Sequence, residues 1–102
     1  MMSAKPLDRI GDLRGTRYDF PCIGDEIAMH VHADEGNHVT IVANGTVRIY
    51  GNDYSIERSA PAMVAHGVGV PHAIMGLTEG ACVYNIQTKM GADPYLPDTE
   101  TT

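Results

Sequence analysis

Tryptophan is absent from this chain of 102 residues, and phenylalanine occurs once. Any interior must therefore be filled by Val, Ile, Leu, Met, Ala and Tyr. A chain of this length buries only about 60–65% of the surface that its unfolded form exposes. A bound ion or a partner subunit would add usefully to so small a core. No stretch approaches the ~20 consecutive apolar residues of a membrane span. The first residues, MMSAKPLDRIGDL, contain no apolar segment of the kind that directs secretion, so the expected compartment is the cytoplasm. Basic residues are few: seven Lys and Arg stand against 13 Asp and Glu, a formal net charge of −6. With no basic patch to displace phosphate counterions, nucleic acid and anionic membranes are excluded as expected partners. Two cysteines, Cys22 and Cys82, are too few for a disulfide framework and are expected to be free thiols.

The sequence also has little helical periodicity. A short helix over residues 6–13 is the one weak candidate. The rest consists of short alternating runs broken by turn residues: GTRYDF, EIAMHVH, HVTIVA, TVRIYG, APAMVA, VPHAIM and CVYNIQT. Strands at this spacing predict an all-β sandwich or barrel. Asn44-Gly45 reads as a hairpin turn, because a type I′ turn needs positive φ at both central positions. Gly51-Asn52-Asp53 reads as a second turn. The chain is expected to be one domain over 1–102, with its core at about 7–90 and polar, proline-containing tails at 1–5 and 91–102. Met29, Met63 and Met75 read as gap-filling core residues. Glu26, Arg48, Glu57 and Arg58 read as exposed strand positions.

Against this background the histidines stand out. The chain has five, all between residues 30 and 72, and three of them fall within HVHADEGNH. His30 and His32 are two apart, so on a strand they share a face, with Ala28 beside them and Ile27, Met29 and Val31 opposite. At ~3.3 Å per residue the pair can lean toward one ion. His38 opens the next run and shares its face with Thr40 and Val42. If the two runs are antiparallel neighbours, His38 falls beside the pair. His72 follows Gly67, Gly69 and Pro71, a tight segment able to aim it inward.

These residues carry a resemblance to small single-domain cupins. The family's first motif has Gly, five residues, His-x-His, a short gap, Glu, six residues and Gly. Here Gly24 precedes His30 and His32 at that spacing, and His38, with six residues between it and Gly45, stands in place of the Glu. The second motif, Pro-x-Gly-x-x-His with an Asn four residues on, corresponds to Gly67, Gly69, His72 and Gly76. The resemblance spans about residues 15–88. It implies an all-β fold, a double-stranded β-helix or jelly-roll barrel, with a metal held by His30, His32, His38 and His72. The interval from His32 to His38 is one residue longer than usual, which leaves Glu35 or Asp34 as alternative fourth ligands. His66 lies outside the motif and is expected at a strand end or pocket rim, clear of the ion. Asn85 and Gln87 either hydrogen-bond a ligand histidine or face solvent. No catalytic residue is assigned. Tyr84 is a weak candidate, while Tyr18 and Tyr50 read as core or rim.

An all-imidazole site keeps the full charge of its ion and suits Fe, Zn, Cu and Ni better than Mg or Ca, with Mn and Co as further candidates. The resemblance implies a metal-dependent enzyme with dioxygenase-type chemistry on a small organic substrate, with iron as the leading ion. A non-redox isomerase or lyase and a non-catalytic ligand-binding or structural module are the alternatives. A thin barrel with a poorly covered outer sheet leads to the expectation of a homodimer.

Overall fold

The computed structural model describes residues 1–7, 9, 13–30, 35–67 and 69–89, and of Glu35, Gly36, Asn37 and Lys89 only the backbone. Among the described residues there is no helix, and therefore none long and apolar enough to cross a membrane. The strands are β1 (Ser3–Pro6), β2 (Leu13–Phe20), β3 (Glu26–His30), β4 (Glu35–Asn44), β5 (Thr46–Tyr50), β6 (Ser55–Ser59), β7 (Ala62–His66), β8 (His72–Gly76) and β9 (Ala81–Lys89). They form two antiparallel sheets, one ordered β1-β2-β9-β4-β7 and the other β3-β8-β5-β6. The all-β expectation holds. The candidate helix at 6–13 is not formed where the chain is described: Pro6 ends β1 and Leu13 opens β2, while residues 8 and 10–12 lie outside the described residues.

Alternation along the strands builds the core between the sheets. Phe20, Val42, Ala81 and Val83 come from the five-stranded sheet, and Ile27, Val47, Ile49 and Ile74 from the other. Fully burying a side chain of this size contributes roughly 1.5–3 kcal/mol. Two of the three methionines assigned to the core are on the outside, Met63 at 72% exposure and Met29 at 40%. On β7 it is Ala62 and Val64 that pack against the core, so the alternation turns Met63 outward. β1, of which Ser3–Lys5 fall in the expected polar tail, pairs with β2 as an edge strand.

The Asn44-Gly45 turn is not a hairpin. β4 pairs with β7 and β9, whereas β5 pairs with β6 and β8, so the chain crosses here from one sheet to the other. Gly45 has φ of 72°. A Cβ on it would strike the Thr78 hydroxyl and lie 3.1 Å from the Ala81 backbone. The same hydroxyl accepts a hydrogen bond from the Thr46 amide (3.0 Å), and the Asn44 side-chain amide donates to the Gly80 carbonyl (2.8 Å). Gly45→Ala therefore combines left-handed strain with a collision. It should lower stability by about 1–3 kcal/mol, read as a drop in thermal midpoint. The turn over Gly51, Asn52 and Asp53 does join a hairpin: Tyr50 pairs with Ser55, and the Gly51 amide donates to the Tyr54 carbonyl at 2.9 Å.

Candidate metal centre

The inner face of the five-stranded sheet explains one half of the histidine cluster. On β4, His38, Thr40 and Val42 are all buried, as alternation from Val42 requires. β4 and β7 run antiparallel with His38 opposite His66 and Thr40 opposite Val64. His66 therefore stands beside His38, 4.7 Å between ring centroids. It is the last residue of its strand, as expected, but it is not clear of the site.

The other half comes from the four-stranded sheet. β3 pairs with β8, joining Ile27 to Ile74 and His30 to His72. Between these pairs β3 advances three residues while β8 advances two, so β3 carries one extra residue at a register shift. That insertion changes the face assignment. Strict alternation separates Ile27 from His30, but the shift sets both opposite residues of one face of β8, Ile74 and His72. Ala28, expected to share the histidine face, is exposed. The extra residue at a bulge re-aims the side chains that follow it.

His38 and the His30 strand are thus not neighbours in one sheet, as the sequence suggested. They face each other across the interior. His72 is the hub: its ring centroid lies 4.5 Å from His30, 4.9 Å from His38 and 4.3 Å from His66. One nitrogen from each of His38, His66 and His72 lies within 4.8 Å of the other two. Three nitrogens bound to one ion at ~2.1 Å lie roughly 3.0–3.6 Å from one another, so the rings must draw together by up to about 1–2 Å to close on it.

The hydrogen bonds fix which nitrogens are available as ligands. A carbonyl only accepts, so His72 Nδ1 donates to the Val70 carbonyl (3.1 Å) and Nε2 holds the lone pair. His30 Nδ1 likewise donates to the Ala28 carbonyl at 2.7 Å. Thr40 Oγ1 donates to Asn85 Oδ1 (2.7 Å) and so accepts from His66 Nε2 (2.7 Å), which leaves Nδ1 of His66 as its donor to a metal. Fixing a ligand ring through its second nitrogen is what metal sites require. Asn85 therefore acts on a candidate ligand histidine through one intervening hydroxyl.

His38 and His72 are 5% and 2% exposed. Desolvation pushes the His72 imidazole below its ordinary range, and nearby His30 adds to this, while the bond to Val70 opposes it. The unfolded chain therefore binds the proton first, at an ordinary value of 6.5. The corresponding stability is present above that pH and is lost as the pH falls toward the depressed folded value. Thermal midpoints of metal-free protein should decline below about pH 6.5, and His72→Gln should flatten that decline. The convergence and lone-pair geometry of the imidazoles together fit a soft-to-borderline divalent metal.

Of the four ligands expected, the structure brings His30, His38 and His72 together and adds His66. His32 and Asp34 lie outside the described residues, as does the side chain of Glu35, whose backbone begins β4. Tyr84 is not at the site. Its neighbour Asn85 faces inward, so Tyr84 turns to the outer face of β9, where Arg17 Nη1 donates to its hydroxyl at 3.4 Å. Tyr50 is on the other sheet and donates to Glu26. Cys22 is exposed and Cys82 buried, both as free thiols.

No family model matches the sequence. No curated protein matches it either. Solved structures match over most of the chain. KdgF from Halomonas sp. superposes with a TM-score of 0.78 at 15% identity, covering 86% of this chain and 80% of that one. A cupin-2 domain containing protein from Shewanella frigidimarina gives 0.71 at 26% identity, covering 85% and 80%. An RmlC-like cupin protein from Desulfovibrio desulfuricans gives 0.74 at 20% identity, covering 84% and 81%. Two antiparallel sheets enclosing a core, the histidines between them and these neighbours lead to one conclusion: the chain has the cupin fold.

Proposed function

We propose that His38, His66 and His72, with His30 beside them, hold one divalent transition-metal ion, iron foremost, and that the protein is a metal-dependent enzyme with dioxygenase-type chemistry on a small organic substrate. The observation that carries this is the meeting of imidazoles from both sheets with their lone pairs turned inward. Such an ion supplies Lewis acidity and, when redox-active, a route to oxygen. The chain's own part is to orient the rings through Val70, Thr40 and Asn85. Metal analysis of untagged protein, paired with oxygen uptake on a panel of small enolisable and thiol substrates, tests the reading. Iron with substrate-dependent uptake supports it. Zinc or nickel without uptake removes the dioxygenase assignment and leaves a non-redox isomerase or lyase. A protein that takes up no metal removes both.

We also propose a homodimer through the outer face of the five-stranded sheet. Ile41 there pairs with Met63 on one side and Tyr84 on the other, and Val39 with Ala65 and Ile86, a continuous apolar surface. Sedimentation should give twice the chain mass for the wild type and the monomer mass for Met63→Glu. A wild-type monomer at micromolar concentration would remove the proposal.

A further inference from the structure

The β5–β6 hairpin reaches the histidine cluster from outside it. β5 pairs with β8 as far as Tyr50 opposite Ala73, the residue after His72. The hairpin then turns at Gly51, and Tyr54 packs against the core. The Tyr54 hydroxyl donates to the Pro71 carbonyl at 3.2 Å. Pro71 immediately precedes His72. Gly51 lies against both partners of this bond. A Cβ there would strike the Tyr54 ring and lie 2.7 Å from the Pro71 carbonyl oxygen. The missing side chain of Gly51 is what lets ring and carbonyl meet, and its amide closes the turn on the Tyr54 carbonyl at 2.9 Å.

We infer that Tyr54 is a positioning residue for the histidine centre: through the Pro71 carbonyl its hydroxyl sets the backbone from which His72 meets the ion. This rests on the metal reading above and extends it to a residue outside the cluster. Val70, Pro71 and His72 share one constraint. The Val70 carbonyl accepts from His72 Nδ1 at 3.1 Å and so aims the ring. That carbonyl is useful only if it keeps its place relative to the His72 backbone. Between the two stands Pro71, whose ring fixes φ at about −65°. Its ψ is the soft torsion that remains, because the peptide bonds on either side are planar. A Pro71 carbonyl oxygen held by Tyr54 restricts that torsion. The segment gains from an outside brace: Val70 is 41% exposed, and its own turn is closed by a bond of 3.2 Å from the Val70 amide to the Gly67 carbonyl. Site geometry has to be held within about 0.5 Å to be productive. Removing a group that bonds a ligand ring directly costs 10–100-fold in affinity. Tyr54 acts one peptide further back, so the loss expected from its hydroxyl is about 3–10-fold, below that range.

The test titrates Co(II) into the full chain and follows the visible absorption of the bound ion, which reports its coordination sphere. Wild type is compared with Tyr54→Phe, Gly51→Ala and Ile56→Val. Tyr54→Phe keeps the ring and removes the hydroxyl. Gly51→Ala keeps the hydroxyl and forces ring and carbonyl apart. Ile56→Val trims a residue that packs against the core from the same hairpin, and shows what lost stability alone does. Tyr54→Phe and Gly51→Ala should each weaken cobalt binding about 3–10-fold and alter the spectrum of the bound ion. Ile56→Val should keep the affinity and spectrum of the wild type. Unchanged affinity and spectrum in Tyr54→Phe overturn the inference and leave the metal reading standing. Should that variant fail to fold, Gly51→Ala decides by the same measure. Equal weakening in Ile56→Val also overturns the inference, because Tyr54 would then act through stability alone. Failure of wild type to take up cobalt overturns both the inference and the reading beneath it.

Discussion

His72→Ala is expected to reduce bound metal from about one equivalent to near zero, the largest single-residue effect on the site. His72 touches three other rings, and its Nε2 is held toward them by the Val70 carbonyl. Loss of a residue that merely orients a ligand costs 10–100-fold in affinity, so loss of a ligand itself should cost at least about 100-fold. Metal content after gel filtration measures this, with His72→Gln as a variant that keeps most of the side-chain volume. His66→Ala separates two assignments of the site. Motif spacing leaves His66 out, whereas the β4–β7 register puts it in, and the register predicts a loss comparable to that of His38→Ala. Full retention of the ion in both the His66 and the His72 variants would remove the centre as described. His38→Glu restores the carboxylate usual in the resembling family and should keep an ion while changing which one is preferred.

Removing the metal should lower the thermal midpoint by roughly 15–30 °C. A ligand at 1,000 times its Kd stabilises by about 4 kcal/mol, and each kcal/mol shifts the midpoint of a domain this small by about 4–8 °C. The expectation follows from where the histidines stand. His38 and His66 belong to one sheet and His30 and His72 to the other, so an ion bound among them joins two layers otherwise held by a small aliphatic core and one Phe. Calorimetry before and after chelation, with metal loss verified, reads the shift directly. A change of under about 2 °C would mean that the cluster contributes little to holding the sheets together.

Much of this was legible in the residues. Short alternating runs gave the all-β architecture, and the six residues that separate it from Gly45 located His38 as an inward-facing residue. What failed were features that depend on pairing across the chain. Asn44-Gly45 has the composition of a hairpin turn, but whether its flanking strands bond to each other is decided by their partners: β9 and β7 for β4, β8 and β6 for β5. Met63 is as apolar as any core residue, and only its neighbours Ala62 and Val64 show which way it points. His66 lacks a motif of its own. Its relevance comes from standing opposite His38, a relation that no local spacing encodes.

The register shift on β3 has a consequence for how this protein tolerates change. Inward and outward positions on that strand are read in two different phases, one before Ala28–Met29 and one after. Deleting a single residue there would remove the extra one, so plain alternation would keep Ile27 and His30 both facing inward, opposite Ile74 and His72. A lineage could therefore lose this one codon and keep both the barrel and this corner of the centre, so the spacing from Ile27 to His30 says less about the site than the identity of the histidine.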